Sequence, residues 1–154
     1  MKRKGFTLVE ILIVVIILGI LAAIVIPQFT EASNDARESA LASDLQTVRS
    51  QIELYKVQHN ERLPHLKEDG TADTANFINR LTGRTDQDGK VNAAGAFGPY
   101  LQKFPTNSFM SVAGANTCAF GTADPAPVST TVGWYFNTSL GKISACDSAA
   151  HAAL

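Results

Sequence analysis

The sequence predicts an α+β protein in which one long N-terminal helix packs on a small antiparallel β-sheet. Three observations predict it. Residues 11–26 carry no polar side chain. Behind that run, Leu41, Leu45, Val48, Ile52 and Tyr55 recur at alternating steps of four and three, the signature of one helix face. Residues 60–154 then turn polar and turn-rich, with β-branched and aromatic clusters near the end.

The chain opens on a short basic leader, Lys2, Arg3 and Lys4, that ends in Gly5. Phe6 to Ile26 is a segment of 21 residues interrupted only by Thr7 and Glu10. About 20 helical residues span a hydrocarbon core. The leader charges favour the cytoplasmic side, which places the C-terminal body outside. Pro27 follows, where a proline removes one backbone bond and kinks or loosens a helix. No glycine or proline interrupts residues 28–60, and Arg37, Glu38, Asp44, Arg49, Glu53 and Lys56 put charge on the faces away from the apolar stripe. One helix is therefore expected over residues 6–59, bent near Pro27 and roughly 80 Å long at 1.5 Å per residue. Gly19, with Ala22 and Ala23, either marks close helix–helix contact or is a tolerated helix glycine. The expected divisions are a leader (1–5), a membrane or bundle half-helix (6–27), an amphipathic half-helix (28–59) and a globular body (60–154).

Leu63-Pro64 reads as the end of the long helix. Asp73–Leu81 reads as a short helix capped by Asp73, with Phe77, Ile78 and Leu81 facing inward. Residues 85–90 form a turn. Phe109–Val112 and Thr117–Phe120 flank Gly114-Ala115-Asn116 and read as a hairpin. Thr130–Phe136 and Gly141–Cys146 read as an antiparallel pair, giving three or four antiparallel strands against the helix stripe. Cys118 and Cys146 are the two cysteines. In an exported domain an even pair reads as a disulfide, which would contribute roughly 3–4 kcal/mol; the alternative is two free buried thiols.

The 13 basic and 14 acidic side chains give a formal charge of −1. Loss of the leader would leave 10 basic against 14 acidic groups, a net −4. A mildly acidic product offers no electrostatic footprint for nucleic acid. No nucleophile elbow, P-loop, paired-histidine zinc motif or dinucleotide fingerprint occurs, so an anchored enzyme is disfavoured. His59, His65 and His151 lack metal-ligand spacing. Asp86 and Asp88 before Gly89 match part of a calcium loop. Arg84 stands where that loop needs an acid, and the distal glutamate is missing. They are weak calcium candidates beside the plainer reading of a solvated turn, and no other cofactor is expected.

The apolar run admits three readings. A cleaved secretory signal has a shorter apolar core and a small-residue cut site, whereas this run continues through Ile24, Val25 and Ile26. A plain signal anchor fits the length but leaves Glu10 unexplained, and a lone carboxylate in a membrane costs roughly 2.5–3.5 kcal/mol on insertion scales. The third reading comes from Gly5-Phe6-Thr7-Leu8-Val9-Glu10 behind the short leader, continued by residues 17–29 through Pro27. This stretch resembles the signal of type IV pilins and type II secretion pseudopilins.

That resemblance implies a type IV pilin-like fold and a defined processing route. A prepilin peptidase would cut between Gly5 and Phe6 and N-methylate Phe6. Glu10 would then pair with the Phe6 amine of a neighbouring subunit during assembly of a homo-oligomeric helical filament. Before assembly the chain would sit in lipid as a single-pass protein of the bacterial inner membrane, its body periplasmic. An inner-membrane assembly platform would extract it into the filament. Residues 52–56 with Leu63-Pro64, then Gly98-Pro99-Tyr100-Leu101 and Phe104-Pro105, resemble the major (G-type) pseudopilin. The tail from Asp147 to His151 lacks that group's acidic, calcium-holding loop, and the late cysteine pair is similar to true type IV pilins. A pseudopilus that drives protein export is the leading expectation. A type IV pilus serving adhesion, motility or DNA uptake is the alternative within the family, and a monomeric anchored binding domain the alternative outside it.

Overall fold

Helix α1 begins at Leu8 and runs to Gln58, through Pro27 and across the change from an all-apolar to an amphipathic sequence. The computed structural model describes residues 5–154; the leader charges Lys2, Arg3 and Lys4 lie outside them. Start and stop fall close to the expected 6–59. The stop is set by Asn60 and Glu61, both in the left-handed region (φ 55° and 62°), with the Glu61 amide donating back to the Lys56 carbonyl at 2.9 Å. Asparagine tolerates that conformation better than most residues. The helix thus ends before Pro64 is reached.

The chain divides into two units, residues up to Glu38 and Ser39–Leu154. In the first, every described side chain is exposed. Pro27 has no N–H for the Ala23 carbonyl, and the Thr30 hydroxyl donates to the Ile26 carbonyl at 3.2 Å. A Cβ built on Gly19 meets nothing within 4 Å, so no packing inside the chain demands glycine there.

In the second unit, Leu41, Leu45, Val48, Ile52 and Tyr55 are each 1% exposed. They pack with Phe77 and Leu81 of α2 (Phe77–Thr82), with Leu101 and Phe104, and with Trp134, Phe136, Ile143 and Ala145. A 3₁₀ turn, Thr74–Asn76, leads into α2. Asp73 stands at the head of that turn but makes no side-chain cap bond to the backbone; its carboxylate is used elsewhere.

The sheet has three strands in the order β1 (Cys118–Gly121), β2 (Trp134–Asn137), β3 (Lys142–Ala145). The β2–β3 pair is antiparallel as expected, with Trp134 opposite Ala145 and Phe136 opposite Ile143. The β1–β2 pair is parallel, Cys118 opposite Trp134, which corrects the expectation of an all-antiparallel sheet. The expected hairpin is absent. Ala113–Asn116 is a 3₁₀ turn and no strand forms over 109–112. There Asn107 takes over the local bonding, accepting from the Phe109 amide at 3.0 Å. Parallel strands need a crossover of about a dozen residues or more; the connection from Thr122 to Gly133 supplies it, with Pro125 and Pro127 unable to donate to a ladder. Gly133 donates to the Gly114 carbonyl at 3.0 Å. A Cβ on Gly114 would collide with the Thr131 carbonyl, and one on Gly133 with that of Ala115. The two glycines let these backbones meet.

Side chains alternate across the sheet. One face carries Trp134, Phe136, Ile143 and Ala145 to the helices. The other carries Tyr135 and Cys146 to Ala126 and to Ala152 of the unpredicted helix α3 (Ala149–Ala152).

Candidate processing and assembly site

The N-terminal constellation is built at the head of α1. Gly5 is exposed and lies outside the helix, with space on all sides of where a Cβ would stand. Phe6 is 83% exposed. Thr7 is the last residue before the helix, and Glu10 lies in its first turn. The Thr7 amide and hydroxyl donate to Glu10 Oε2 at 2.8 and 2.7 Å. The Glu10 amide in turn donates to the Thr7 hydroxyl at 3.3 Å. This reciprocal pattern is a capping box, Ser/Thr-x-x-Glu/Gln, in which two orphan helix-end groups satisfy each other. Glu10 therefore has a partner within its own chain. The sequence signal for it is Thr7 three residues before Glu10, a spacing overshadowed by the membrane cost of the charge. The box engages one carboxylate oxygen, and Oε1 has no protein partner among the described residues. Gly5 and Phe6 are both exposed and stand ahead of the helix, which begins at Leu8. An ammonium that meets it finds a carboxylate held in the first turn, where the helix dipole also favours negative charge.

Comparison with known proteins shows what such an end is similar to. The family described as "Prokaryotic N-terminal methylation motif" matches residues 1–26. Over its N-terminal part the chain is similar to type IV pilins and type II secretion pseudopilins. It is 38% identical over 58 residues to the type II secretion system core protein G of Pseudomonas aeruginosa, covering 38% of this chain and 41% of that protein. With the protein of the same name from Dickeya chrysanthemi it shares 38% over 63 residues, 41% of this chain and 40% of that one. With the type IV narrow pilus major component PilA5 of Thermus thermophilus it shares 40% over 58 residues, 38% of this chain and 50% of that one. The chain thus spans about two-fifths to one-half of the curated relatives it matches. No solved structure matches it. The first part of α1 is long and apolar enough to cross a membrane.

The other residues singled out from sequence lie in the second unit. Asp86 Oδ1 accepts from the amides of Asp88 (3.2 Å) and Lys90 (2.9 Å), and Gly89 takes the left-handed conformation (φ 80°) that closes the turn. Arg62 donates to the Asp88 carbonyl and Arg80 to that of Gly89. Two guanidiniums thus donate to carbonyls of this turn. Among the described residues no group of three His, Cys, Asp or Glu side chains gathers.

Cys118 and Cys146 are free thiols, which corrects the expected disulfide. Cys118 packs on the helix-facing side of the sheet and Cys146 on the other. Strand β2 runs between them, so they stand on the order of 10 Å apart at two strand spacings, beyond the ~7 Å Cα limit for a bridge. Burial, then the neighbouring Cys146, raises the Cys118 pKa. Burial, then Asp147, pushes Cys146 up to about 11.

Sequence reasoning missed three polar anchors. Arg80, 5% exposed, donates to Asp73 Oδ2 at 2.8 Å and to the carbonyls of Gly89, Pro64 and Asp73. It floors an open cleft of about 600 Å³ whose walls include Lys67, Asp69, Asp88 and Lys90. Arg49 donates to the Ile143 and Leu154 carbonyls, tying α1 to β3 and to the tail. Asp147 accepts from Asn107 at 2.6 Å and pairs with His151 at 2.5 Å. All three join residues at least seven apart or lie in the late loops, where no periodic pattern announces them.

Proposed function

We propose that this chain is a structural subunit of a type II secretion pseudopilus rather than an enzyme. A prepilin peptidase cuts it between Gly5 and Phe6 and methylates Phe6. The product waits in inner-membrane lipid with its body in the periplasm, and an assembly platform then draws it into a homo-oligomeric helical filament that drives protein export. The observation that carries this reading is the half-engaged Glu10 at the head of a helix whose first thirty-odd residues bury nothing. Such a surface needs lipid or other helices around it. A carboxylate with one free oxygen in those surroundings needs a cation, and cleavage creates one at Phe6, whose pairing offsets the desolvation of both charges. The relatives named core protein G favour the pseudopilus; the Thermus pilus component supports a type IV pilus as the second reading.

The capping box sharpens the test. Glu10→Gln keeps a capping-box residue and removes the charge, whereas Glu10→Ala removes both. With the peptidase and platform supplied, both variants should be processed and neither should yield filaments on immunoblots of sheared fractions. Filaments from Glu10→Gln at the normal level would show that the cap, not the charge, is what assembly uses. Gly5→Ala should leave an uncut precursor on mass spectrometry.

A further inference from the structure

We propose that His65 is an acid-sensitive latch. It holds the loop 63–73 against strand β2 at neutral pH and releases that loop, with one wall of the cleft, as the surroundings acidify. The side chain is 4% exposed. Its ring lies against Phe136 of β2, centroids 5.2 Å apart. Its Nδ1 is buried with no hydrogen-bond partner among the described residues. The rest of the loop is well tied at its neck. Asp73 donates its amide to the His65 carbonyl at 2.6 Å, Leu66 bridges Ala72, and Arg80 donates to the Pro64 carbonyl at 3.0 Å. The ring is thus the loop's apolar plug, docked on the core through a face that makes no polar bond at Nδ1.

A neutral imidazole serves in that position. An imidazolium does not, because both its nitrogens are donors and the buried one has no acceptor. An unpaired buried charge carries a heavy desolvation penalty. The charged groups around the site make it worse. Arg80 on α2 is the one that acts on His65, and its own counter-charge, Asp73, is already committed to it. Strand β2 offers only the Phe136 ring, and Lys67, on the loop itself, is a further cation. Burial, then Arg80, accordingly lowers the His65 pKa below its ordinary 6.5. A histidine in water keeps that ordinary value, so the released loop binds the proton more tightly than the docked one. Docking is therefore fully favoured above about pH 6.5 and weakens as pH falls below it.

The other two histidines have polar partners for their rings. His59 is buried, but its Nδ1 meets the Tyr55 carbonyl and its Nε2 the Thr85 hydroxyl, both able to accept from an imidazolium. His151 Nδ1 faces the Asp147 carboxylate. Release should therefore be confined to the 63–73 loop, which contributes Lys67, Glu68 and Asp69 to the cleft.

Hydrogen–deuterium exchange on the full chain in detergent tests this, with rates corrected for the chemistry of exchange at each pH. From pH 7.5 to 5.5 the protection of residues 63–73 should fall by up to about tenfold, the limit set by a free imidazole one unit below its ordinary 6.5, while residues 134–145 keep theirs. In His65→Leu, which preserves the apolar plug, the loop should stay protected at both pH values. Unchanged loop protection in the native chain would overturn the proposal, as would the same loss in His65→Leu. Simultaneous loss across β2 and β3 would replace a local latch with general unfolding and equally overturn it. Should His65→Leu fail to fold, an NMR titration of the native histidines decides the matter. A His65 midpoint below 6.5 supports the latch, and one at or above 6.5 refutes it.

Discussion

Helix α1 solves one problem twice. Up to Glu38 its described side chains are all exposed. From Leu41 on, a single stripe of five residues is buried to 1% exposure against α2 and the sheet. The two stretches share backbone geometry and differ only in where apolar residues sit around it. A helix that is apolar all round asks for surroundings that the chain does not provide, whereas one that is apolar on one face carries its own answer in the strands that follow. Stability of the fold and capacity for assembly are therefore housed in different parts of one helix and should respond to different substitutions.

The largest effect should come from the buried part. Trp134→Ala or Ile52→Ala should lower unfolding stability by about 3–5 and 2–5 kcal/mol respectively, through lost burial and the cavity left behind. Ile16→Ala should leave denaturant unfolding of residues 39–154 unchanged. If Ile16→Ala destabilised that unit as Ile52→Ala does, the division would fail. Next comes the buried pair. Asp73→Asn strands the Arg80 guanidinium and should cost about 3 kcal/mol. Asn76's amide and, after it, Arg80 hold the Asp73 carboxyl below its usual range. The native pair therefore contributes above about pH 4 and is lost as acid protonates Asp73 below that. The difference between native protein and Asp73→Asn should narrow in an acid titration followed by circular dichroism.

A smaller effect is expected at the head of α1. Thr7→Val removes the capping hydroxyl and should fray the first turn by about 1 kcal/mol, read as faster amide exchange near Glu10, with the second unit unmoved. The smallest response concerns the thiols. A bridge between Cys118 and Cys146 would contribute about 3–4 kcal/mol, enough to shift Tm by on the order of 10 °C on reduction. With free thiols, reductant should not change Tm, and both cysteines should resist alkylation until the protein unfolds.

What could be read in advance follows the same division. The stripe from Leu41 to Tyr55, the inward Phe77 and Leu81, and the β2–β3 pair are all written in short-range periodicity, and each is found where the pattern placed it. The parallel partnership of Cys118 with Trp134 is not local; it depends on a connection whose prolines cannot join a ladder and on two glycines that let backbones touch. Arg80 was legible only as one more surface charge, because its acceptors are carbonyls scattered over loops. At the processing site Gly5, Phe6 and Glu10 were legible from their order alone. The service Thr7 renders Glu10 required the hydrogen bonds.

The grip of Arg49 on the Ile143 carbonyl joins residues 94 positions apart. Most partners of the helix stripe likewise lie far downstream, the last of them at Ala145. During synthesis the amphipathic stretch emerges early, and its apolar face is covered only once the residues through Ala145 have left the ribosome. Late closure of this core is enforced by sequence order itself.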